Sequence, residues 1–153
     1  MGLKSPHLLL FSIMSGLEVA GLVLGAIPVL ISGIESYANG VSKAGRMIRY
    51  KRELKSLHRT LETDYELYRT ICRLLLSQIA DPGDIAELLD EPGGEAWKDP
   101  DLAKAMRRLL RSSYDVYVKT MEDMDAAVKE FNDRLRLGPD GKVHLNRRIS
   151  NSG

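Results

Sequence analysis

The sequence predicts an all-α protein, a helical bundle with two long antiparallel helices and an apolar N-terminal helix. Apolar residues recur at steps of three and four through two long segments, proline and glycine clusters separate the segments, and no stretch alternates as a strand does. The 153 residues fit one domain. We divide them into an N-terminal extension (1–13), the bundle (14–138) and a flexible polar tail (139–153).

The first predicted helix lies in the segment GLEVAGLVLGAIPVLISGIE, which has sixteen uncharged residues between Glu18 and Glu35. On a helical wheel its bulky apolar residues cover more than half of the circumference, wider than the roughly 100° stripe of a surface helix. The small residues Gly21, Gly25 and Ser32 fall on the other side and predict close helix packing. The uncharged run is about 24 Å long, short of a bilayer's roughly 30 Å hydrocarbon core.

Three environments remain possible for this helix: burial in a protein core, conditional insertion into a membrane, or a permanent membrane span. A secretion signal is disfavoured because Glu18 interrupts the apolar run and the candidate cleavage site lacks a small residue at its −3 position. Met14 could also serve as a start, so we interpret residues 1–13 as an upstream extension. If the helix meets lipid, ten apolar residues are expected to insert: Leu17, Val19, Leu22, Val23, Leu24, Ile27, Val29, Leu30, Ile31 and Ile34.

The second predicted helix covers about 46–80, and Pro82 disfavours its continuation past Asp81. Its beginning is basic: seven positive residues face Glu53 alone over 43–59, although the whole chain has a net charge of +1. We call these residues the basic segment and expect them to bind the headgroups of anionic lipid, each contributing on the order of 1 kcal/mol. A solvated helix face is the alternative. The basic segment consists of Lys43, Arg46, Arg49, Lys51, Arg52, Lys55 and Arg59.

The remaining helices are predicted from capping signals. Asp84 and Glu87 have capping-box spacing and predict a short helix that ends at the PGG of 92–94. Asp99 with Pro100 predicts the start of a second long helix, whose apolar face continues to about Leu135.

No catalytic chemistry is predicted. The three histidines are scattered, no phosphate-binding or nucleophile motif occurs, and the single cysteine, Cys72, lies on an apolar helix face as a core residue. Trp97 is expected to pack over the end of the bundle, with a ligand platform as the alternative. We therefore expect no enzyme activity, no cofactor, no metal, no nucleic-acid partner and no small-molecule substrate. The lone cysteine favours a reducing location, cytosolic or membrane-facing.

The chain resembles a family of fungal proteins in three segments. They are MSGLEVAGLVLGAIPVLISGIESY (14–37), RYKRELKSLHRTLETD (49–64) and LLDEPGGEAWKDPDLAKAMRRLLRSSYDVYVKTMEDM (88–124). The first two resemble HeLo-like N-terminal helical domains, which are related to the prion-inhibition and propagation domain of fungal incompatibility proteins. The third looks closer to a fungal family of unknown function with the same N-terminal arrangement. The resemblance covers about residues 14–145.

The resemblance implies a function at membranes. In HeLo-like proteins of programmed cell death and heterokaryon incompatibility, the N-terminal helix is released, inserts into lipid and kills the cell. It implies a cytoplasmic protein that associates with membranes conditionally and also self-associates or binds another protein. The alternative is a structural or protein-interaction module whose N-terminal helix stays permanently in the core.

Overall fold

The all-α prediction is confirmed by a computed structural model, which describes residues 14–41 and 48–135. No strand occurs in these ranges. Two short 3-10 turns, Glu95–Lys98 and Arg111–Ser113, connect α-helices within them. The α-helices are α1 (Gly16–Val41), α2 (Ile48–Leu76), α3 (Pro82–Asp90), α4 (Pro100–Leu110) and α5 (Tyr114–Leu135).

Helix α1 is the central helix, and its most extensive contacts are with both α2 and α5. The long helices α2 and α5 are antiparallel. The hydroxyl of Tyr68 on α2 lies 3.4 Å from the sulfur of Met121 on α5. One turn further along α2, Cys72 interacts electrostatically with Tyr117, which lies one turn back along α5. The apolar residues of α1 therefore fill the space between two long helices.

The sequence predicts that the second long helix is continuous from Asp99 to Leu135, and the structure differs. The helix is interrupted at Arg111–Ser113 and continues as α5. Arg111 has φ 49° and ψ −118°, and its N–H bonds to the carbonyl of Arg107 to close α4. Ser112 and Ser113 suit such a break, because serine side chains compete with helical backbone hydrogen bonds. The interruption allows Met106 on α4 and Tyr114 on α5 both to be buried.

Two helix starts were predicted from caps, and one prediction is wrong. The short helix α3 begins at Pro82, preceded by Asp81, so Asp84 lies inside its first turn instead of capping it. Proline suits this first position because its fixed φ is already helical and no N–H is needed there. At α4 the prediction is confirmed, since the side chain of Asp99 accepts a hydrogen bond of 2.9 Å from the N–H of Asp101.

Candidate functional site

Helix α1 begins with a local cap. The hydroxyl oxygen of Ser15 accepts a hydrogen bond of 3.1 Å from the N–H of Glu18. The carboxylate of Glu18 lies in the first turn, where it complements the positive end of the helix dipole. Pro28 lies inside the helix and cannot donate the backbone bond of its own position. The helix nevertheless continues to Val41, because its long apolar face is packed on both sides.

The structure divides the ten predicted lipid-inserting residues into two groups. The exposed fractions are 36% for Leu22 and 42% for Val29, and Ile31 is half-buried. The other seven are in the protein core: Leu17, Val19, Val23, Leu24, Ile27, Leu30 and Ile34. In this conformation most of the candidate inserting surface is therefore covered by protein.

The small residues of α1 lie against the connector between α3 and α4. A Cβ atom on Gly21 would lie 2.7 Å from Cγ of Trp97, and one on Gly25 would lie 3.2 Å from the carbonyl oxygen of Pro92. Gly93, with φ 75°, reaches the backbone of α1 beside Gly21. Ser32, the third predicted packing residue, is exposed. The glycines thus allow close approach to the connector, and their neighbour here is not another long helix.

Trp97 holds this connector on α1. Its side chain is 1% exposed, and its indole N–H donates a hydrogen bond of 2.8 Å to the carbonyl of Leu88 on α3. A buried indole needs such a partner for its single donor. Trp97 therefore joins α3 to α1, and its ring is covered instead of being presented to a ligand.

A buried polar contact joins the three central helices. The hydroxyl of Tyr68 on α2 donates a hydrogen bond of 3.0 Å to the carbonyl of Ala20 on α1 and also contacts Met121 on α5. Burial raises the pKa of Tyr68, and burial also raises the pKa of the neighbouring Cys72 thiol to about 11. Both groups are neutral at pH 7, which suits their place in an apolar core.

The described part of the basic segment lies on the side of α2 away from the core. Lys43 and Arg46 lie outside the described residues, as do the extension 1–13 and the tail 139–153. Arg49 belongs to α2, and its side chain is not among those described. Lys51 is half-buried, whereas the side chains of Arg52, Lys55 and Arg59 are exposed.

These four described cations line a shallow surface depression together with Ser56 and Thr60. None of the four forms an ion pair with a carboxylate in the part of the chain that the structure describes. A surface of this kind attracts anions through several separate charges, each of them still hydrated. It can therefore associate with an anionic surface without first breaking internal ion pairs.

Three apolar residues of α2 are exposed to solvent, and the sequence pattern did not single them out. Leu67, Ile71 and Leu74 are 59%, 46% and 62% exposed. Their spacing of four and three residues is itself helical, but they lie beside the apolar face that contains Cys72. Spacing alone does not show which of two adjacent apolar stripes the protein covers.

No cluster of histidine, cysteine and carboxylate residues capable of holding a metal occurs in the described ranges. In the same ranges one helix segment, Gly16–Asn39, is long and apolar enough to cross a membrane, with a mean hydropathy of 2.1. Half of its most apolar window is buried, and core helices and signal sequences share these properties. Comparisons with protein-family models, curated proteins and solved structures gave no match.

Proposed function

We propose that the protein is a non-enzymatic, HeLo-like helical domain that acts at membranes. In this proposal α1 leaves the bundle and inserts into lipid, while the basic segment binds anionic headgroups. The protein is then cytoplasmic and associates with membranes conditionally, as fungal cell-death effectors of this type do. The observation that carries the proposal is that one helix combines membrane-like length and hydropathy with the burial of seven of its ten predicted inserting residues.

The energetics favour a conditional state over a permanent span. Release of α1 would expose apolar residues such as Leu24 and Ile34, which are 0% exposed in the bundle. In water this exposure is costly, at roughly 25 cal/mol per Å² of apolar surface. A bilayer offers the same residues another apolar environment, so its presence shifts the population towards the released state.

The charges around α1 are compatible with this movement. Glu18 and Glu35 lie on either side of the uncharged run, so insertion of that run leaves both carboxylates near the headgroups. The described cations of the basic segment lie near the start of α2, which follows α1 in the chain. Anionic lipid would therefore bind the protein close to the C-terminal end of the inserting helix.

A second candidate function is a structural or protein-interaction module with α1 permanently in the core. It is favoured by the packing of α1 against both long helices and by the fit of Trp97 onto Gly21. In that case the protein should not permeabilise vesicles, and α1 would serve only to hold α2 and α5 together.

The test is dye leakage from phosphatidylserine-containing vesicles and from neutral phosphatidylcholine vesicles, comparing the intact chain with Val29→Glu. Val29 is 42% exposed, so a carboxylate there is tolerated in the folded bundle. The same carboxylate lies near the middle of the inserting segment, where a charge costs about 3 kcal/mol. The matched control is Val116→Glu, the same change at a 69% exposed position on α5.

The proposal predicts leakage from anionic vesicles by the intact chain and by Val116→Glu, and a loss of roughly 100-fold in Val29→Glu. Circular dichroism should show the same helix content in all three proteins. Absence of leakage and of vesicle binding by the intact chain would contradict the proposal and favour the interaction module. Equal leakage by Val29→Glu would contradict insertion of α1.

A further inference from the structure

A helix face without charge runs along the solvent side of α2. Ten charged residues occur in 51–73, yet eight exposed residues that share one side of the helix from 60 to 78 are uncharged, and the exposed Asp64 borders them. We call this set the uncharged face. Its residues are Thr60, Thr63, Leu67, Thr70, Ile71, Leu74, Ser77 and Gln78. A solvated face of a charged helix would be expected to carry lysine, arginine or glutamate at such positions.

Three of the five polar side chains of the uncharged face are already paired with backbone. The hydroxyl of Thr60 donates to the carbonyl of Ser56 at 3.1 Å, and that of Thr63 donates to Arg59 at 3.0 Å. At the other end, the hydroxyl of Ser77 donates to the carbonyl of Leu74 at 2.7 Å. These hydroxyl donors need no water, so another helix can cover them without leaving buried donors unpaired.

One edge of the uncharged face carries complementary charges. Glu66 and Arg73 are both exposed and are two helical turns apart on the same edge. Neither forms an ion pair with another residue that the structure describes. If two copies of α2 meet in antiparallel orientation about a twofold axis midway between these residues, Glu66 of each copy lies beside Arg73 of the other.

We propose that the uncharged face is the self-association surface of this protein and that its occupant is the same face of a second copy, in antiparallel orientation. The apolar seam of this dimer then consists of Leu67, Ile71 and Leu74. Two equivalent ion pairs between Glu66 of one copy and Arg73 of the other set the register of the two helices. A partner rich in charge would find no complement on the uncharged face, whereas a second copy presents the same apolar seam and, along the edge with Glu66 and Arg73, the complementary charges. The proposal does not depend on lipid binding.

The expected association is weak and depends on concentration. The uncharged face covers about 26 Å of helix from 60 to 76 and continues into the turn at Ser77 and Gln78. A seam along one helix buries less than the roughly 1,200–2,000 Å² typical of stable complexes. Monomers and dimers should therefore exchange, and α1 stays in its own bundle in both forms.

The first test is sedimentation equilibrium of the full chain without lipid, from about 10 µM to about 1 mM, a range suited to weak dimers. Ile71→Asp places a carboxylate in the seam and should weaken dimerisation at least roughly tenfold. The matched control, Val116→Asp, changes an exposed valine of α5 outside the face and should dimerise as the intact chain does. Both substitutions are at exposed positions, and circular dichroism checks the fold.

Charge reversal tests the register. Glu66→Arg alone or Arg73→Glu alone creates like-charge contacts across the twofold axis and should weaken the dimer several-fold. The double variant Glu66→Arg with Arg73→Glu should restore it, because each pair forms again with the charges exchanged. A monomer at every concentration, an undiminished Ile71→Asp dimer, or a double variant no better than the single ones would overturn the proposal. Loss of vesicle binding by Ile71→Asp in a protein that never dimerises would also overturn it, in favour of lipid as the occupant.

Discussion

Trp97 packs directly on the backbone of Gly21, so closely that a Cβ atom added to Gly21 would lie 2.7 Å from Cγ of the indole. The two residues are far apart in the chain, and their contact joins the connector to α1. The indole N–H also donates a hydrogen bond to the carbonyl of Leu88, which fixes the ring in place. Trp97 therefore has little freedom to move away from a larger residue at position 21.

Gly21→Ala is expected to destabilise the fold by about 1–3 kcal/mol, because the added methyl group overpacks the Trp97 contact. The matched control is Gly83→Ala in α3, where an added Cβ meets no atom within 4 Å. Alanine favours a helix over glycine by up to about 1 kcal/mol, so the control should be neutral or stabilising. Urea unfolding of both variants measures the difference. An equally stable Gly21→Ala protein would show that Trp97 can move.

Tyr68→Phe is expected to destabilise the fold by about 1 kcal/mol, because the hydrogen bond to the carbonyl of Ala20 is lost. Tyr65→Phe is the control, since Tyr65 is only half-buried on the same helix. Chemical unfolding monitored by Trp97 fluorescence gives both values. If the two variants lose the same stability, the Tyr68 hydrogen bond has no special role in joining α1 to α2.

Alkaline pH is expected to destabilise the protein. Burial raises the pKa of Cys72 to about 11, above the value of an exposed thiol, so the unfolded chain releases this proton first. The contribution of Cys72 is complete below about pH 8.5 and is lost as the pH rises through about 11, by up to about 3 kcal/mol. Tyr68 and Tyr117, whose pKa values burial also raises, act in the same direction at higher pH. Cys72→Ala should flatten the fall in unfolding free energy between pH 9 and 11, and an unchanged slope would contradict this assignment.

Arg111→Gly is expected to stabilise the fold by about 1 kcal/mol. Arg111 has φ 49°, a conformation that glycine adopts readily and other residues rarely do. The control is Arg108→Gly, which removes the same charge from the interior of α4 and should destabilise by a similar amount. Thermal unfolding separates the two. If both substitutions destabilise equally, the backbone at Arg111 is not strained.

The helices could be predicted from the sequence because their evidence is local. Apolar spacing identified α2, and Asp99 followed by Pro100 identified the start of α4. The break at Arg111 could not be predicted in this way, because apolar residues continue at steps of three and four on both sides of it. Periodicity reports which residues are apolar and carries no information on a single backbone dihedral.

The environment of α1 depends on contacts between distant residues. The small residues Gly21 and Gly25 predicted close packing, but their actual neighbours, Trp97 and Pro92, come from a connector that no local pattern associates with α1. The wide apolar arc likewise matched both a membrane and a core, because both environments exclude water. Its burial between α2 and α5 required the assembled fold.

Insertion of α1 into lipid is tested most directly with a polarity-sensitive fluorophore on Val29→Cys. Val29 is exposed, whereas Cys72 is buried and burial raises its pKa to about 11, so labelling at neutral pH selects the new thiol. Val116→Cys on α5 carries the control label. With phosphatidylserine-containing vesicles we predict a blue shift at position 29 and quenching by lipids brominated in their acyl chains, with neither change at position 116. Unchanged emission at position 29 would contradict the insertion of α1.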